Sequence, residues 1–228
     1  MESVGWMIAR SAGSGTAPQE SPFTFSRVLA QADAGLTLFA GPTAVSRLAL
    51  PFCAPFLIQG ETVFVVDGAN SFDLYRLTEW ARRKQLPTPA LLNRLRVARA
   101  FTCFQMATIL HHIGSEMESH RATRLVLTGL PDCLYDEELS RQEARHTFAR
   151  CLESLVRLAT HLTVLVFSDW PTHPVGERIR FFDSLVAQAR AVFEVNNTEP
   201  VRFVPIKAPG LLTVGKGKGS NGKNSAHR

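Results

Sequence analysis

Four short runs in this chain are apolar without alternating: residues 36–40, 62–66, 124–128 and 162–167. A strand with one face in water alternates apolar and polar residues, whereas a strand covered on both faces need not. The runs therefore read as central strands of a parallel sheet clothed by helices on both sides. The segments between them agree. Residues 73–85 place Leu74, Leu77 and Ala81 at helical spacing, with Arg76, Arg82 and Arg83 elsewhere. Residues 104–118 are a second candidate helix. In 138–161, Ala144, Phe148, Cys151, Leu152, Leu155 and Ala159 recur at intervals of three or four, the stripe of a half-buried helix. Near the end, residues 191–195 and 202–206 flank the turn sequence NNTEP and predict a β-hairpin. Together these elements predict an α/β fold with a mostly parallel sheet and no internal repeat.

The ends differ from the middle. Residues 11–22 read SAGSGTAPQESP, so 1–24 is expected to be a flexible N-terminal segment, 25–209 the α/β domain and 210–228 a disordered basic tail. Formal net charge is +5, but the last 15 residues carry three lysines and one arginine with no acid, leaving about +1 for the rest. The basic balance thus reports on the tail, not on the folded surface. No apolar run reaches the roughly 18 residues of a membrane span, and the start lacks a secretory pattern. The cysteines at 53, 103, 133 and 151 show no C-x-x-C pairing. They read as reduced, mostly buried thiols of a cytoplasmic protein, not as a disulfide or zinc framework.

The segment after the first run, GPTAVSRL at 41–48, has the context and length of a phosphate-binding loop, G-x-x-x-x-G-K-[ST], between a strand and a helix. Its last three residues are Ser46, Arg47 and Leu48 where Gly, Lys and Ser/Thr are required. Arginine keeps a positive charge, but its planar fork is not a substitute for the compact ammonium. Leu48 cannot ligate magnesium. Ser46 adds a side chain where the backbone must approach the phosphate, and Pro42 removes one N–H from the cradle. The segment is either a turn without a ligand, a weak nucleotide site, or a variant ATPase loop built on Arg47.

A longer stretch, VFVVDGANSFDLYRLTEWARRKQLPTPALLNRLRVARAF at 63–101, runs from a strand ending in Asp67 through Phe72 and Arg76-Leu77 to Ala98-Arg99-Ala100-Phe101. With the helix RQEARHTFARCLESL at 141–155 and the strand LTVLVFSDW at 162–170, it resembles the ATPase core of the RecA/RadA recombinase superfamily, closer to the RadA-type branch. The resemblance covers residues 34–207. It implies a three-layer RecA-like core, a mostly parallel central sheet flanked by helices with a C-terminal β-hairpin, and the separate helical N-terminal domain of the RadA type is not expected.

The resemblance places the degenerate nucleotide site at Gly41, Ser46, Arg47, Asp67 and Thr128. Ala69 stands where the family has the glutamate that activates water. Thr128 stands where an aspartate supports the metal, and Asp169 is near the polar sensor position. Phosphoryl transfer depends on positioning and charge neutralisation, and loss of these groups together implies no catalytic residues and no required cofactor, with residual ATP binding left open.

Two regions match the family's DNA-binding loops, about 131–146 and 170–180. They offer Arg141, Arg145, Trp170, Arg178 and Arg180, and the tail adds Lys216 and Lys218 as sequence-independent phosphate contacts. His112, Glu116 and His120 share a helix face but read as solvated surface, not as a metal site. Asp136, Glu137 and Glu138 read as a cluster favoured by a helix N-terminus. The expectation is an inactive recombinase-like accessory protein of DNA repair or recombination. Its expected partners are single- or double-stranded DNA, a recombinase, a repair polymerase or a second copy, and no membrane. The alternatives are an atypical ATPase using Arg47 and a regulatory scaffold unrelated to DNA.

Overall fold

The computed structural model describes residue 28 and residues 33–42, 44–171, 179–196 and 201–207. Among them the strands are β1 (Gly35–Gly41), β2 (Val63–Asp67), β3 (Leu95–Arg99), β4 (Arg124–Thr128), β5 (Thr163–Asp169), β6 (Ala191–Asn196) and β7 (Arg202–Lys207). The helices are α1 (Ala49–Ile58), α2 (Leu74–Arg83), α3 (Thr88–Asn93), α4 (Cys103–Ser119), α5 (Arg141–Ala159) and α6 (Ile179–Gln188). One sheet takes all seven strands in the order β3-β2-β4-β5-β1-β6-β7. Every pairing is parallel except β6 with β7, which is the expected antiparallel pair. The NNTEP turn lies outside the described residues from 197 onward.

Each strand delivers side chains to two cores because its residues alternate faces. Leu36, Leu38 and Ala40 of β1 join the core under α4, α5 and α6. Phe39 points the other way, into the core under α1, α2 and α3. There it stacks on Phe167 at 4.8 Å and on Phe193 at 5.6 Å, with Phe52 tilted against it at 4.6 Å. Three adjacent strands and α1 thus meet on one ring. Two buried layers explain why the central strands read as continuous apolar runs.

Helix limits follow caps. Asp73 accepts from the Tyr75 and Arg76 amides, starting α2. Ser140 and Glu143 form a reciprocal capping box, so α5 begins at Arg141 and not at 138 as its apolar stripe suggests. β3 was not foreseen. Only Leu95 is fully covered while Arg96 is exposed, so this edge strand shows no unbroken apolar run. The expectation of a three-layer α/β fold with a C-terminal strand pair holds. Among the described residues no helix is long and apolar enough to cross a membrane.

Truncating Phe39→Ala removes the ring shared by these contacts and is expected to cost about 3–5 kcal/mol. Urea unfolding should show a lower midpoint with an unchanged slope; a loss below about 1 kcal/mol would mean that the ring cluster does not organise this layer.

Candidate functional site

The carboxyl ends of the strands β1, β5, β2 and β3 open onto a cleft of about 840 Å³. Ala44, Ser46 and Arg47 form one wall, and the loop from Ala69 through Arg76 forms the other, with Arg99 and Asp169 between. Crevices at the carboxyl ends of strands are where open α/β sheets take ligands.

The β1 wall is built by close approach. A Cβ at Gly41 would lie 2.6 Å from the Val195 carbonyl oxygen and 2.8 Å from Val45 Cγ2, so only glycine fits under β6 there. The chain then turns through Ala44 in the left-handed region (φ 55°) into a short 3-10 turn, Val45–Leu48, that runs into α1. A left-handed residue followed by a right-handed one aims successive amides at a common point, a ready anion nest. That point is taken. The Asp169 carboxylate accepts from the Ala44 amide at 2.9 Å and from the Val45 amide at 2.8 Å. Arg47 is exposed at the rim, Ser46 is half-buried beside it, and Leu48 packs against the core.

The β2 wall hangs from Asp67. Its carboxylate is 1% exposed as a residue and accepts from the Ser71 amide (3.1 Å), the Phe72 amide (3.0 Å) and the Thr128 hydroxyl (2.8 Å). Thr128 in turn accepts from the Ala69 amide at 3.3 Å. Arg99 stands 3.7 Å from Asp67 and also donates to the Phe72 carbonyl and to Asn70. Gly68 and Gly129 let these two loops touch. A Cβ on Gly129 would sit 2.4 Å from the Gly68 carbonyl carbon, and its φ of 80° suits glycine.

The structure therefore brings Gly41, Ser46, Arg47, Asp67 and Thr128 to one edge of the sheet, but in different states. Ser46 and Arg47 face the cleft. Asp67 and Thr128 are buried and bonded to each other, so neither presents a free oxygen to a metal or phosphate. Sequence reasoning passed over the loop side chains Asn70, Ser71 and Tyr75, and over the cleft role of Arg76 and Arg99. Ser71 Oγ is buried without a hydrogen-bond partner, and Tyr75 is 84% exposed. The available signal was an aspartate ending a strand with a small polar turn after it, which marks a self-capping loop.

Asp132, in the 3-10 turn Asp132–Leu134 after β4, neighbours Asp169. The residue keeps exposed surface, yet crowding by protein, followed by the Asp169 charge, pushes its pKa up to about 7 against a smaller lowering by the Asp169 amide.

Of the candidate DNA-contacting residues, Arg141 and Arg145 lie exposed on the first turns of α5, and Arg180 lies exposed on α6. Trp170 is half-buried, packed on the core under α5, and its amide donates to the Gly41 carbonyl. Arg178, Lys216 and Lys218 lie outside the described residues. His112 and Glu116 are exposed on α4, which continues through Gly114, and His120 is exposed at its C-cap. Asp136, Glu137 and Glu138 are exposed before α5, where the Asp136 carboxylate accepts from the Glu138 amide.

Asp67→Ala should be the most damaging change in the site. It strips a buried and a half-buried amide, a hydroxyl and a guanidinium of an acceptor, at a cost of about 3 kcal/mol or more. Urea unfolding of this variant checks it, and a loss under about 1 kcal/mol would deny Asp67 its organising part.

The raised pKa of Asp132 means that the folded chain holds a proton which the unfolded chain has released. Stability contributed by this group is therefore lost as pH climbs from about 4 to about 7. Asp132→Asn is expected to raise the thermal midpoint at pH 8 and to leave it unchanged at pH 4. An equal shift at both values would remove the titration as its cause. Compared with protein-family models and with curated proteins, the chain matches none of them.

Proposed function

We propose that this protein is a catalytically inactive RecA/RadA-like accessory factor that acts in DNA repair or recombination by binding protein or DNA. The observation that carries the inactive part is the Asp169 carboxylate seated on the Ala44 and Val45 amides. A phosphate would need those donors and would meet a fixed negative charge in their place. The rest of the cleft supports the same reading. Arg47 supplies charge without the lysine geometry, Leu48 offers no oxygen, and Asp67 and Thr128 are occupied with each other. Positioning and charge neutralisation, the two contributions phosphoryl transfer needs, are both compromised.

The accessory role rests on the resemblance across residues 34–207 and on the exposed arginines at 141, 145 and 180. Recombinase-type cores meet side by side, so a copy without chemistry retains value as a partner for an active recombinase, a repair polymerase or itself. The described cysteines carry no disulfide, which supports a reducing, cytoplasmic setting.

Calorimetric titration of ATP with Mg²⁺ into the full chain, with DNA-stimulated hydrolysis measured on the same sample, tests the proposal. The expected result is no heat and no turnover. Turnover lost in Arg47→Ala would instead establish the atypical ATPase. Fluorescence anisotropy of labelled single- and double-stranded DNA tests the other half. Binding should weaken when Arg141, Arg145 and Arg180 are changed together to Ala. Unchanged binding in the triple variant, or no binding by the wild type to DNA or to a recombinase, removes the proposed surface.

A further inference from the structure

At the opposite edge of the sheet, where β4 and β5 begin, the C-terminal ends of α4 and α5 part around a cleft of about 730 Å³. Its floor is apolar: Met117, Ala122, Leu158 and Leu162 are all buried. Its rim carries two guanidiniums, Arg121 and Arg157, beside the imidazoles of His111, His112 and His161. Among the described lining residues Glu118 is the single acid.

We propose that this cleft binds a small amphipathic anion, an apolar body carrying one acidic group. The size lies within the 300–1,000 Å³ typical of small-molecule sites, and an apolar base with few convergent polar groups is their usual construction. The inference does not depend on the function proposed for the other edge.

Cations gather at helix C-termini in any case, because the dipole favours them, so each one has to be accounted for. Some such cations in this fold cap, while Arg82 and Arg83 at the end of α2 make no side-chain hydrogen bond among the described residues. Arg94 donates to the Ala90 carbonyl at 3.2 Å, and Lys207 donates to Val186 and Ala187 at the end of α6. Arg157 likewise reaches across the cleft to the His111 carbonyl at 3.3 Å. Arg121 does none of this. Its guanidinium makes no hydrogen bond or ion pair among the described residues. At the end of α4, backbone amides already serve the carbonyls of Glu116, Met117 and Glu118. Glu118, three residues away, does not pair with it. An unpaired guanidinium over a buried apolar floor is the arrangement that holds the head of an acidic amphiphile while the floor takes its body.

Titration of the full chain with 8-anilinonaphthalene-1-sulfonate, an aromatic sulfonate that fluoresces in apolar surroundings, tests this. One saturable site is expected, with decanoate competing and decanol not. Arg121 has φ of 52°, a conformation glycine adopts without strain, so Arg121→Gly removes the guanidinium without threatening the fold. It should weaken binding about tenfold, in line with loss of one charge-assisted contact. Arg121→Gln, which keeps the backbone restraint, should do the same. Phe101→Ser, at an exposed ring outside the cleft (73% exposed), should leave binding intact. The proposal is overturned by absence of saturable binding, by equal competition from decanol, by unchanged affinity in both Arg121 variants, or by loss of binding in Phe101→Ser.

Discussion

Burying the carboxylate of Asp67 at the end of β2 imposes a condition that the surrounding chain has to meet. An ionised group in that position is costly unless its lone pairs are filled. Two amides of the following loop, the hydroxyl of Thr128 on the neighbouring strand and the guanidinium of Arg99 fill them. Each partner is thereby fixed. The loop from Ala69 to Phe72 has to double back over its own strand, with Asn70 in the left-handed region at φ 49°, a conformation asparagine tolerates better than most residues. Arg99, the last residue of β3, is drawn to the carboxyl end of β2. One wall of the cleft is set by this single group.

The other wall obeys the same chemistry with a different acid. Asp169 ends β5 beside Gly41 in the parallel register, and from there its oxygens reach the amides that begin the turn into α1. Capping a turn of this kind with a carboxylate stabilises it by about 1 kcal/mol. Asp73 does likewise for α2. The acids on this side of the cleft are thus spent on backbone donors, and Asp67 is spent on Arg99 as well.

How much of this was legible depended on whether a pattern was local. The four central strands were visible because burial on both faces leaves an unbroken apolar run, and α5 was visible because its stripe is long. The edge strand β3 was not, since half-burial leaves only Leu95 fully inward. Helix α1 carries Pro51 and Pro55 and is apolar on nearly every side, so periodicity says little about it. The departures of residues 41–48 from the phosphate-loop pattern, Leu48 in place of a hydroxyl among them, can be read without coordinates. What the sequence did not show was where the acids point. Asp169 was readable only as a residue near a sensor position, because the bonds it makes span 124 and 125 residues. Thr128 and Asp67, 61 residues apart, posed the same difficulty. Each looked like a ligand to something external and turned out to be a ligand to the other.

That distinction bears on whether a few substitutions could give the cleft phosphoryl-transfer chemistry. A lysine at position 47 and a threonine at position 48 would supply the compact ammonium and the hydroxyl that a phosphate-binding loop uses. They would not empty the anion nest, since Asp169 is held there by two short bonds and by the register of β1 with β5. Removing Asp169 would free the amides but leave the turn uncapped. An aspartate at position 128 would face the buried carboxylate of Asp67 at the distance where the Thr128 hydroxyl now donates. Two carboxylates that close do not both stay ionised. The two walls are therefore held by two hydrogen-bond groups, one on Asp169 and one on Asp67, in which the donors and acceptors facing the cleft already serve one another.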